Sequence, residues 1–155
     1  AMSGLDLRGL AAAVNLPMDR VRFPDSYSYR MGIPKEALAA IYTGMDVLLA
    51  PSRGEGFGIP VVEAQMCGTP VITSNATAQA ELCGDGWKVD VQPQWDEAQK
   101  AWWFTPLVPS IVDSLEAAYA RGQGRSQAAM DFAAQYDADV VFDEYWRPAL
   151  DVLMP

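Results

Sequence analysis

The join between Val47-Leu48-Leu49-Ala50 and the run beginning at Ile59 restricts the fold of this chain more than any other segment. Four consecutive apolar residues, bracketed by Asp46 and Pro51, suit a strand covered on both faces, as in the centre of a parallel sheet. Parallel strands need a crossover between them, usually a helix. Residues 59–66 have that pattern, with Gly68 as the expected cap. Between strand and helix lies Gly54-Glu55-Gly56-Phe57-Gly58. Glycine reaches backbone angles closed to other residues and leaves room for close approach. A tight turn at the carboxyl end of a parallel strand also aims the free amides of a helix N-terminus at whatever lies above it. Such a corner can bind a phosphate or a polarised sugar hydroxyl.

The rest of the chain repeats the alternation. Apolar spacing predicts helices over 5–16 and 34–44, with a short strand at Val21-Arg22-Phe23 and a polar, Tyr-bearing loop over 25–32. Further strands are expected at 71–73 and 88–91, with a short helix over 76–82 between them. Residues 92–105 read as a Trp-rich loop carrying Trp95, Trp102 and Trp103, expected either to cover the edge of the sheet or to form an exposed contact surface. Residues 106–155 read as C-terminal helices. The first is opened by Thr105-Pro106 and runs to Arg121, and two more follow over 126–135 and 139–153. Strands alternating with helices in this way imply an α/β fold with a mostly parallel, Rossmann-like sheet and flanking helices. Four strands are few for a doubly wound domain, and the chain opens on a helix. Residues 1–155 are therefore read as one partial domain whose first βα units would precede Ala1.

Composition narrows the partners. The net charge is −9 with only three lysines, Lys35, Lys88 and Lys100, which argues against nucleic acid, whose phosphates are gripped by basic clusters. The absence of His leaves a carboxylate as the internal candidate for a general base. It also leaves Cys67 and Cys83 without partners for a zinc set. The two thiols are expected to be reduced, in a cytoplasmic protein. No run approaches the roughly 18 apolar residues of a membrane span.

Two carboxylates frame the Gly-rich turn, Glu55 within it and Glu63 after seven intervening residues. Carboxylates repel phosphate, but each accepts two hydrogen bonds from a vicinal diol, which suits a ribose or a hexose ring. The competing reading is a tight turn with exposed glutamates, Glu63 complementing the dipole of its helix.

Taken together, Asp46-Val47-Leu48-Leu49-Ala50-Pro51-Ser52, Glu55-Gly56-Phe57-Gly58-Ile59-Pro60-Val61-Val62-Glu63-Ala64 and Cys67-Gly68-Thr69-Pro70-Val71-Ile72 resemble family 4 of the retaining glycosyltransferases. The shared signature is E-G-F-G-x-P-x-x-E-A, and the likeness is continuous over residues 38–90. The resemblance implies the C-terminal, donor-binding half of a two-domain GT-B enzyme. That enzyme would transfer a hexose from a nucleotide-diphosphate sugar, without a metal or other cofactor and with retention of configuration. It implies that Glu55 contacts hydroxyls of the transferred hexose, as the residue on which catalysis depends, and that Glu63 binds the ribose. Gly54, Gly56, Phe57, Gly58, Ile59, Pro60 and Val62 would complete the donor site, and Pro24, Asp25 and Ser26 would pass beside the base. The basic pair that grips the diphosphate in that family, and its acceptor domain, would precede Ala1. Arg53 is the local substitute as a phosphate contact, or else an exposed turn residue. The rival readings are a non-catalytic nucleotide-sugar-binding or interaction module built on the same fold, and a phosphorylase-type enzyme, for which no pyridoxal-phosphate lysine setting is visible.

Overall fold

The computed structural model describes residues 6–154, so the first residue of the helix expected over 5–16 lies outside the described part. The chain divides into two units, residues 1–34 and residues 35–155.

In the first unit, α1 (Leu7–Ala13) is capped by Asp6, whose side chain accepts from the Gly9 amide at 3.0 Å. Residues 21–23, expected to be a strand, pair with nothing among the described residues. Phe23 instead packs under the Arg8 guanidinium at 4.8 Å. The expected loop over 25–32 contains a helix, α2 (Ser26–Met31). Its cause is local: Asp25 accepts from the Ser28 amide at 2.9 Å and hydroxyl at 3.0 Å, an N-cap. These bonds favour the charged form and hold the Asp25 carboxyl below its usual range.

The second unit opens with α3 (Lys35–Thr43). Then come β1 (Leu48–Ala50), α4 (Ile59–Met66), β2 (Val71–Ser74), α5 (Thr77–Leu82) and β3 (Gly86–Val89). The three strands form a parallel sheet in the order β1-β2-β3, so the α/β class and the parallel sheet stand. The expected burial of β1 on both faces does not. All four residues of β2 are buried, whereas β1 lies at the edge and Leu49 is half exposed. An apolar run of four does not distinguish a central strand from an edge strand. The core lies between sheet and helices, where Val61, Val62 and Ala64 of α4 meet Tyr42, Val71, Leu82 and Ala133.

Gln65, also on α4, is fully buried among these apolar side chains. Its amide donates to the carbonyls of Val61 and Leu82 and accepts from the amides of Gly84 and Asp85, all at 2.7–3.1 Å. All four of its hydrogen-bonding positions are therefore used, which makes a buried amide tolerable. The approach of β3 to β2 explains a glycine. Gly86 has φ +148°, and a Cβ there would overlap the Val71 carbonyl.

The Trp-rich segment is not a loop. It is an antiparallel hairpin of β4 (Val91–Asp96) and β5 (Ala101–Pro106), with Trp95 directly opposite Trp102. Trp and Phe favour strands, and the turn is closed by Asp96 accepting from the Gln99 amide at 2.8 Å. Trp95 and Trp102 pack edge to face at 5.4 Å and stay about half exposed. Thr105 and Pro106 end β5, so the next helix starts later than expected. That helix, α6 (Val108–Arg121), has Pro109 in its first turn. α7 (Gln127–Ala133) follows, capped by Ser126. The last expected helix is broken by a π-helical turn at Phe142–Trp146 between α8 (Ala138–Val141) and α9 (Arg147–Leu153).

Asp85, ahead of β3, ties two C-terminal helices to the sheet. It accepts from Arg121 of α6 at 2.9 Å and from the Ser126 hydroxyl at the start of α7. Burial pushes its carboxyl up, but the hydrogen bonds and the Arg121 charge outweigh this and leave it below its usual range. A depressed carboxyl stabilises the fold at pH values above its unfolded titration, and the contribution is lost as pH falls through the folded value. Asp85→Asn is therefore expected to cost about 1 kcal/mol at pH 7 and to make unfolding less acid-sensitive below about pH 4. Urea unfolding of both proteins at pH 7 and pH 3 checks it, and parallel pH profiles would show that the pair carries no such role.

Candidate functional site

The site is built where β1 and β2 end and their chains part. β1 leads into Pro51 and Ser52, then the turn from Gly54 to Gly58, then α4. Gly58 caps that helix in the left-handed region, φ +105°, and a Cβ there would lie 3.4 Å from Leu82. Of the three glycines in the turn, Gly58 has a positive φ, and Gly54 and Gly56 do not. Their value is space: a Cβ on Gly56 would meet nothing within 4 Å. Pro60 occupies the first turn of α4, where its missing N–H costs nothing. The amides of Gly56, Phe57 and Gly58 find no acceptor among the described residues, and that of Ile59 opens the helix with the orphaned donors common to helix starts.

A cavity of about 310 Å³ lies against this corner, walled by Ala50, Ser52, Glu55, Gly58, Pro60 and Gln79 with their apolar neighbours. The geometry brings Glu55, Gly58 and Pro60 to one opening. It does not bring Glu63 there. Glu63, one turn into α4, is half buried and directed at α3, where its Oε2 accepts from the Tyr42 hydroxyl at 3.0 Å. Burial first, then the hydrogen bond and charge of Glu63, push the Tyr42 phenol up to about 12. Val62 is buried in the core, and Ile59 is exposed. Phe57 points across to Tyr136, edge to face at 5.7 Å. Gly54 lies under Trp103, its nearest side-chain neighbour.

Arg53 is engaged within the chain. Its guanidinium lies over the Trp103 ring at 5.2 Å and donates to Gln94 at 3.1 Å, while its carbonyl accepts from the Phe104 amide at 2.9 Å. The Trp-bearing hairpin is thus docked on the Gly-rich turn through the face that carries Gln94 and Trp103. Pro24, Asp25 and Ser26 lie in the first unit, at the start of α2.

Sequence reasoning missed the residue that holds the corner together. Gln79 of α5 is buried where β1 and β2 diverge. Its Oε1 accepts from the amides of Ser52 at 3.2 Å and Ser74 at 3.0 Å, and its Nε2 donates to the Ala50 carbonyl at 2.7 Å. A second tie runs from the Ser74 hydroxyl to the Ser52 carbonyl. Thr77, which opens α5, has φ +54° and accepts the Glu55 amide at 3.4 Å. A β-branched residue in the left-handed region costs on the order of 1–3 kcal/mol and persists only where its surroundings impose it. The sequence signal was faint: one Gln at an inward position of a short helix, and a Thr two residues after Asn75.

The comparisons with known proteins agree with this architecture. The family described as glycosyl transferases group 1 matches residues 23–101. Among curated proteins, an O-antigen chain mannosyltransferase B from Escherichia coli is 43% identical over 53 residues, covering 34% of this chain and 14% of its own length. A D-inositol 3-phosphate glycosyltransferase from Corynebacterium kroppenstedtii is 32% identical over 112 residues, covering 72% of this chain and 24% of its own. One of the same name from Mycobacteroides abscessus is 29% identical over 164 aligned positions, covering 99% and 32%. The chain therefore spans about a third or less of the length of these relatives. No solved structure gives a significant match. With its strand, Gly-rich turn and α4 all inside a family match that takes in just over half its residues, the chain belongs to the glycosyl transferases group 1.

Proposed function

We propose that this chain forms the donor side of a family 4 retaining glycosyltransferase, which transfers a hexose from a nucleotide-diphosphate sugar without a metal. The reading is carried by one observation. Glu55 and Gly58, whose amide finds no acceptor among the described residues, line one cavity at the carboxyl ends of parallel strands, in a chain of a glycosyltransferase family. The names of the relatives, which include mannosyltransferases, favour a hexose. Glu55 orients the sugar through its hydroxyls, and the turn amides stabilise the diphosphate as it departs. The acceptor oxygen attacks the anomeric carbon on the face that the diphosphate leaves, and its proton passes to the departing phosphate. Catalysis then comes from positioning and charge stabilisation. Glu63 binds the ribose. Arg53, already shared between Trp103 and Gln94, is better placed to set the turn than to grip phosphate, so the diphosphate requires cations from elsewhere in the intact protein.

Calorimetric titration tests the assignment. UDP or GDP is expected to bind the intact protein with a micromolar Kd, and Glu63→Ala is expected to weaken it by about tenfold or more. No heat with either nucleotide, or equal affinity in the variant, would count against a donor site and favour a non-catalytic interaction module.

A further inference from the structure

Among the described residues, the Glu63 carboxylate has one hydrogen-bond partner. The Tyr42 hydroxyl donates to its Oε2 at 3.0 Å. Tyr42 is itself anchored: its ring is buried in the core against α4, and its backbone carbonyl accepts from the buried Thr69 hydroxyl at 2.6 Å. A glutamate on a helix surface has three rotatable bonds and loses entropy when a ligand fixes it. Here a rigid phenol from another helix already holds one oxygen. A carboxylate oxygen accepts more than one hydrogen bond, so Oε1 and part of Oε2 stay available.

We propose that Tyr42 is a positioning residue for Glu63, presetting the carboxylate so that its free acceptor positions meet the vicinal hydroxyls of a nucleoside-diphosphate ribose. The proposal rests on the reading of Glu63 as the ribose ligand and adds a second residue to that subsite. The phenol is suited to the task because it stays protonated through the neutral range and so remains a donor: burial and then Glu63 push its titration to about 12. Tyr42 sits four residues before the Asp46 that opens the motif, outside the Gly-rich signature, which is why the sequence did not single it out.

Two measurements on the intact protein test it. The first uses UDP and GDP beside their 2′-deoxy counterparts in calorimetric titrations. The parent is expected to prefer the ribonucleotide by about tenfold, as a hydrogen bond to a charged acceptor implies. Tyr42→Phe is expected to reduce that preference to about twofold while changing the 2′-deoxynucleotide affinity little. A merely structural role would weaken both nucleotides together and leave their ratio alone, which would overturn the proposal. The second follows phenol ionisation by ultraviolet absorbance. In Glu63→Gln one tyrosine is expected to titrate at lower pH than in the parent, and no change would show that the contact is absent. If Glu63→Ala abolishes binding but Tyr42→Phe keeps the full ribose preference, the proposal falls and the ribose reading stands. If neither nucleotide binds, or Glu63→Ala binds normally, the ribose reading falls and takes the proposal with it.

Discussion

Replacing Glu55 with Ala in the intact protein is expected to lower the rate of sugar transfer by about two to four orders of magnitude, with thermal stability unchanged. Both halves of that expectation come from the same geometry. Glu55 is exposed, its carboxylate makes no hydrogen bond or ion pair among the described residues, and its backbone is held at the amide by Thr77. Nothing in the fold depends on the side chain. It lines the cavity at the carboxyl end of β1, where a hexose ring would present its hydroxyls. A group that fixes the reacting sugar against the departing phosphate contributes through orientation, and a misplacement of about 1 Å is enough to cost about a hundredfold. Glu55→Gln distinguishes orientation from charge. If the carboxylate serves to accept hydrogen bonds from hydroxyls, the amide retains one acceptor and part of the rate. If the negative charge itself is needed, the two variants are equally slow. Turnover of Glu55→Ala within a few-fold of the parent would remove Glu55 from the mechanism.

The largest expected loss of stability comes from Gln79→Met, a substitution that keeps the volume and removes the amide. The amides of Ser52 and Ser74 and the carbonyl of Ala50 would each lose a hydrogen bond, and of the three only Ser74 and Ala50 can still pair with each other, through the β1–β2 register. Each stranded polar group costs about 1–3 kcal/mol when buried. Water can reach Ser52 through the cavity and offset part of that, so the expected total is about 2–4 kcal/mol. That is a large share of the stability of an ordinary domain. Because the same amide sets the start of the Gly-rich turn, the variant is also expected to lose nucleotide affinity at temperatures where it remains folded. Denaturant unfolding measures the first effect and calorimetric titration the second. A loss below about 1 kcal/mol would mean that the corner is held chiefly by the Ser74–Ser52 tie and by packing.

The cavity that both predictions concern was partly legible in advance, and the reason is physical. The order of β1, turn and α4 could be read because each element there is dictated locally. The apolar run has no polar face to turn outward, glycines open the turn, and Pro60 and Gly68 mark the two ends of the helix. The same local logic failed where neighbours decide. Residues 21–23 have strand composition, but a strand exists only if another edge accepts its hydrogen bonds, and none among the described residues does. The Trp-rich segment looked irregular because its strands are stabilised by each other, Trp95 against Trp102, across a turn with no Asn-Gly or Asp-Gly signal. In α2 the Asp25 cap is written in the sequence, but a polar, Tyr-rich stretch without apolar periodicity carries no other helix signal.

The Gly54–Gly58 turn with its two glutamates is what the sequence determined by itself, since the backbone freedom of glycine and the chemistry of carboxylates are properties of the residues alone. Tertiary structure decided what those residues face. It turned Glu55 into the cavity and Glu63 toward Tyr42, 21 residues away in the chain. It engaged Arg53 with Trp103 and Gln94 of the hairpin, and it placed Gln79 in the gap between β1 and β2. These are contacts between distant segments. Their energies come from burial and from satisfying buried polar groups, and neither is defined until the chain has closed on itself.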